Sequence, residues 1–225
     1  MSNSENNNKK RSRQITIVEN LTRRPVEFLV NHNITPNILS YLGFLNSLLA
    51  AFFLGIGTLH NIWFGWLSPA FLIISGILDV LDGSVARKNG IDSKAGAFLD
   101  SNLDRLSDAV IIIGLIYGEL LDFLLGFIIL FLSIMISYIR SRAENEGVDM
   151  KGVGIMERGE RILFLWFAII FECWIYNFSA LFTGIPFTLF FPTLILIYTF
   201  LLILTLGQRF IFTFKKLSKT EENNI

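Results

Sequence analysis

The chain is poor in the residues that usually staple or metallate a small protein. It has one cysteine, Cys173, and two histidines, His32 and His60, in 225 residues. A lone cysteine excludes an internal disulfide framework, and its place in an apolar run marks it as a small buried hydrophobe. The histidines lack the spacing of a zinc site. No internal repeat is present. No secretory signal is expected, because the first long apolar run begins near Ile38 without a small-residue cleavage site after a short core. A further absence is positional. Formal net charge is zero, yet none of the 19 Lys and Arg residues falls around His60-Asn61, Tyr117-Gly118-Glu119 or Asn177 to Pro186.

What the chain has is apolar length. Hydrophobic residues make up 52% of it, with 22 phenylalanines, which places it in the membrane class. Residues 1–14 are rich in Asn, Ser and Lys and read as a disordered tail. Over 15–34, Ile15, Val18, Leu21, Val26 and Leu29 alternate with Arg23 and Arg24, the pattern of an amphipathic helix on the membrane surface, with Pro25 bending or restarting it. Six apolar segments follow at 37–58, 61–86, 94–118, 120–145, 159–178 and 187–214, each near the roughly 20 residues that cross a bilayer. The expectation is an all-α membrane protein with six transmembrane helices in a single domain over 35–214, and a tail at 215–225. Apart from Arg105, which lies within the third segment, every basic residue lies before the first segment, in alternate connections, or near the ends of the segments those connections join. By the positive-inside rule both termini face the cytoplasm, as does the connection between the second and third segments. Trp63, Trp66 and Trp174 would mark the outer interface, and Glu172 would lie near that boundary.

That connection carries the chemistry. Asp79 and Asp82 are three residues apart and Asp100 and Asp104 four apart, so on helices each pair shares one face. At helical rise Asp79 and Asp82 lie roughly 8–12 Å in from Arg87, and Asp100 and Asp104 roughly 9–15 Å in from Lys94. Packed antiparallel, the two segments can bring the four carboxylates to one point. Carboxylates inside apolar helices need a cationic partner, and hard oxygen ligands suit two Mg2+ or Mn2+ ions. The alternative is a structural charge cluster in which the aspartates pair with Arg87 and Arg105.

Read as a pattern, the stretch is D-x-x-D-G-x-x-A-R, eight residues, then G-x-x-x-D-x-x-x-D. It resembles the signature of the CDP-alcohol phosphotransferase family at every fixed position. The resemblance implies transfer of a phosphatidyl-type group from a CDP-linked lipid to an alcohol, with release of CMP. It also implies that Asp79, Asp82 and Asp100 bind one metal, that Asp100 and Asp104 help bind a second, and that Asp104 is the general base. Asn37, Ser40, Gly83, Arg87 and Ser93 match positions that contact the CDP portion. A homodimer is expected from the family, and no nucleic-acid partner is.

A second basic constellation bears on the acceptor. Ser137-Tyr138-Ile139-Arg140-Ser141-Arg142-Ala143-Glu144, Glu157-Arg158-Gly159-Glu160-Arg161 and Gln208-Arg209 are similar to the phosphatidylinositol-phosphate synthase branch, with Gly159 where proline is common. There Arg140, Arg142, Arg161 and Arg209 would hold the phosphate of an acceptor such as inositol 1-phosphate. The alternative for these arginines is ordinary positive-inside decoration. The lipid would be CDP-diacylglycerol or CDP-archaeol. Glycerol 3-phosphate is the competing acceptor. A prenyltransferase would place its aspartate motifs on two distant loops, and a divalent-cation transporter would continue polar residues past Ile73, Ile74 and Leu78.

Overall fold

The structure, a computed structural model, describes residues 22–90 and 93–222. The expected tail at 1–14 and the start of the expected surface helix at 15–21 lie outside these residues. Regular structure among the described residues is helical: α1 at 22–31, then α2 Pro36–Gly55, α3 Leu67–Asn89, α4 Lys94–Tyr117, α5 Phe123–Asn145, α6 Arg158–Thr183 and α7 Phe190–Glu222, with a 3-10 turn at Thr58–His60.

Five of these helices, α2, α3, α5, α6 and α7, are long and apolar enough to cross a membrane. Only 28–33% of the apolar window in each is buried within the protein, so most of it must be covered by something else. Phe127 and Phe131 of α5 and Leu196 and Phe200 of α7 are among the large apolar side chains left exposed. This is the pattern of a multi-pass membrane protein. The expected sixth span, α4, forms a helix of 24 residues, long enough for a bilayer at about 1.5 Å per residue. It falls outside the apolar set because any long window in it includes Asp100, Asp104, Arg105 and Asp108.

The chain divides into two compact units, one made of the described residues up to Leu45 with Ile74–Asp104, the other of Asn46–Ile73 with Arg105 onward. In the first, Val26 of α1 packs with Leu39, Leu81 and Val85, supported by Leu29, Val30 and Ile34. Glu27 is paired to Arg23 at 3.1 Å and to Lys88 at 3.6 Å. The hydrogen bond from Arg23, with Lys88 nearby, holds the exposed Glu27 carboxyl below the usual range. Pro25 lies within the described helical residues 22–31.

The second unit has the larger core, with Leu54, Leu115, Ile129, Ile136, Ile169, Ile195 and Leu202 fully buried or nearly so. Close approach depends on Gly114: a Cβ there would lie 2.6 Å from the carbonyl oxygen of Ala51, so α2 and α4 touch backbone to backbone. Helix α3 starts six residues later than expected. Asn61 takes the N–H groups of Trp63 and Phe64 on its side chain, and such an Asx turn competes with helix. Gly65 completes this turn, where a Cβ would be 2.4 Å from the Leu59 carbonyl oxygen. Trp63, Trp66 and Trp174 are exposed, as an interfacial belt requires.

Candidate active site

The C-terminal half of α3 and the start of α4 carry the signature aspartates within the first unit. Carboxylate oxygens of Asp79, Asp82 and Asp100 all lie within 4.8 Å of one another. Asp104, one turn further along α4, is half-buried and lies outside this set, because four residues of helix advance about 6 Å. Three carboxylates so close repel one another unless a cation or protons intervene. Asp82 is 5% exposed, and its Oδ2 accepts a 2.6 Å hydrogen bond from the hydroxyl of Ser40, itself 9% exposed. A buried carboxylate held by a donor on one oxygen, next to two further hard oxygen donors, fits a small divalent cation.

Beside the cluster is a cavity of about 450 Å³, within the range of small-molecule and cofactor sites. All five residues expected to contact the nucleotide portion line it: Asn37 and Ser40 from α2, Gly83 and Arg87 from α3, and Ser93 before α4, together with Asp82 and Asp100. Gly83 leaves room that Arg87 uses, since a Cβ there would come within 3.3 Å of the guanidinium Nη1. Arg87 is exposed and donates to the Ser84 hydroxyl at 3.2 Å. Ser93 accepts the N–H of Gly96 at 2.9 Å, which caps α4, and its own O–H can still donate into the cavity.

The arginines singled out for the acceptor belong to the second unit. Arg140 pairs with Glu144 at 3.0 Å one turn along α5, and the exposed Arg142 pairs with Glu146 in the same way. Arg209 is 2% exposed. Its Nε donates to the carbonyl of Val153 and its Nη1 to that of Ile136, both at 2.9 Å. The preceding loop is strapped to α7 again where Thr205 and Gln208 accept the N–H groups of Met156 and Ile155, both at 3.1 Å. Arg140 and Arg161 are close enough for their charges to bear on Arg209. Arg161 is 3% exposed and donates to Asp108 at 2.7 Å.

Two acidic residues carry more than their sequence positions suggested. Asp108 continues the Asp100, Asp104 spacing by one further turn, and that continuation was the available signal. Glu172 is 2% exposed. It binds His60 at 3.0 Å and accepts the Phe191 N–H at 3.2 Å, so it anchors the first turn of α7. His60 also stacks on Tyr176, with ring centroids 3.8 Å apart.

The family model for CDP-alcohol phosphatidyltransferase matches residues 33–211, and the chain belongs to that family. Among individual proteins, it is 43% identical over 146 residues to the archaetidylinositol phosphate synthase of Pyrococcus horikoshii, a match covering 64% of this chain and 73% of that one. Its fold is similar to crystal structures of Mycobacterium tuberculosis phosphatidylinositol phosphate synthase. One, in complex with manganese and citrate, gives a TM-score of 0.69 at 24% identity over 86% of this chain and 88% of that one. Another, with CDP-DAG bound, gives 0.68 at 24% identity over 86% and 94%.

Proposed function

We propose that this chain transfers the phosphatidyl-type group of a CDP-linked lipid, CDP-archaeol or CDP-diacylglycerol, to inositol 1-phosphate and releases CMP. The observation that carries the reading is the grouping of Asp79, Asp82 and Asp100 beside a cavity lined by Asn37, Ser40, Gly83, Arg87 and Ser93. The name of the Pyrococcus relative supports the acceptor, and the manganese and CDP-DAG in the mycobacterial structures support the metal and the donor.

Asp79, Asp82, Asp100 and Asp104 would hold two divalent ions, Mg2+ or Mn2+. When bound, such ions neutralise the diphosphate of the donor and the charge that develops on departing CMP. Ser40 holds one oxygen of Asp82 and so fixes the orientation of the carboxylate. Arg87 grips a phosphate at the cavity rim. Asp104 takes the proton from the acceptor hydroxyl as its oxygen attacks the lipid-bearing phosphorus and the bond to CMP breaks. Arg140, Arg142, Arg161 and Arg209 receive the acceptor's own phosphate. The distribution of basic residues supports termini and active site on the cytoplasmic face. Residues 35–214 act as the catalytic domain behind the juxtamembrane segment at 15–34, and the enzyme works as a homodimer.

The test is purified protein with CDP-lipid and Mg2+, offered inositol 1-phosphate, glycerol 3-phosphate, free inositol or serine, with CMP measured. Inositol 1-phosphate should be preferred. Preference for an unphosphorylated alcohol would end the arginine assignment, and preference for glycerol 3-phosphate would move the acceptor.

A further inference from the structure

Helix α6 opens with Arg158 and Arg161, three residues apart and therefore on one face. Both turn to the same carboxylate on α4. Arg161 Nη2 is 2.7 Å from Asp108 Oδ2, and Arg158 Nε is 3.8 Å from Oδ1, so each carboxylate oxygen faces one guanidinium. The site is largely enclosed, with the side chains of Arg161, Asp108 and Arg158 being 3%, 15% and 20% exposed. Buried charges persist only where they are paired. Here one carboxylate faces two guanidinium groups, and Arg209 lies close by, where it feels the charges of Arg140 and Arg161 and those of Glu157 and Glu144. Arg161 Nε is also buried with no hydrogen-bond partner, a donor left unused inside the protein. A buried guanidinium held by a carboxylate on one nitrogen and with an unspent donor on another is set up to take a further anion.

We propose that Asp108 is a positioning residue for the acceptor: its carboxylate fixes the guanidinium of Arg161, with Arg158 alongside, in the orientation that receives the acceptor's phosphate. The inference rests on the acceptor role given to Arg161 above. Asp108 does not touch the reacting atoms. It holds one end of the Arg161 guanidinium and leaves the unspent Nε donor for the substrate. Without it Arg161 would turn away from its like-charged neighbours, and the phosphate would meet a disordered donor.

The test uses the full chain in detergent with CDP-lipid, Mg2+ and inositol 1-phosphate. Asp108→Asn keeps the shape and removes the charge. It should raise the acceptor KM by up to roughly 100-fold, the scale on which a misplaced binding group counts, with the CDP-lipid KM held within about twofold. In an Arg161→Gln background the same change should add almost nothing, because the two residues act as a unit. An unmoved acceptor KM, an equal rise in both KM values, or full additivity with Arg161→Gln overturns the proposal. If Asp108→Asn does not fold, Asp108→Glu retains the charge on a longer arm and should give a smaller rise confined to the acceptor; no rise overturns the proposal. Wild-type protein that does not use inositol 1-phosphate sinks the functional reading and this inference with it. Wild-type activity with an unmoved acceptor KM sinks the inference alone.

Discussion

Replacing Ser40 with alanine deletes a single oxygen from the wall of the site. Its hydroxyl is 2.6 Å from Asp82 Oδ2 in a buried setting, and a hydrogen bond to a charged group there contributes about 1.5–3 kcal/mol. Losing it frees the carboxylate to rotate and to bind a proton instead of a cation. At about 1.4 kcal/mol per tenfold, the loss corresponds to roughly 10- to 100-fold in apparent metal affinity, the range seen when the outer partner of a metal ligand is removed. CMP release should therefore need a correspondingly higher Mg2+ concentration for half-maximal rate, while kcat at saturating Mg2+ stays within a few-fold of wild type. Ser40→Thr keeps the hydroxyl and should keep the Mg2+ midpoint. An unchanged midpoint in Ser40→Ala would refute the orienting role. A rise in CDP-lipid KM alone would make Ser40 a nucleotide contact instead.

Asp104→Asn should abolish turnover yet leave Mg2+-dependent binding of CDP by calorimetry; turnover near wild type would remove Asp104 as the base. Glu172→Ala strands the Phe191 N–H and removes the partner of His60, and should cost about 1–3 kcal/mol. It would appear as a lower Tm with activity per folded molecule retained, and an unchanged Tm would contradict the anchoring role. Gly114→Val drives a Cβ into the backbone of α2 and should destabilise by about 1–3 kcal/mol or more. Gly159→Ala, where no other group lies within 4 Å, should be neutral in the same melting assay.

The aspartate cluster was legible because its spacing is local: three- and four-residue intervals on helices put carboxylates on one face whatever surrounds them. The five cavity residues followed from the resemblance of the motif. The helices followed from apolar length, although apolarity alone leaves out α4, whose windows carry Asp100, Asp104, Arg105 and Asp108. Other features depend on distant backbone. Arg209 is held by the carbonyls of Val153 and Ile136, 56 and 73 residues away, and no local pattern announces such partners. The anchoring role of Glu172 was not legible, because its partners His60 and Phe191 meet it only through the fold. The late start of α3 turned on one side chain, Asn61, competing for two backbone donors.

Crystals grown with manganese, measured at the manganese edge, put the central claim to the most direct test. The account predicts an anomalous peak coordinated by Asp79, Asp82 and Asp100 and strengthened when CDP is present. A map with no peak at those carboxylates, or with manganese bound only elsewhere, would contradict it.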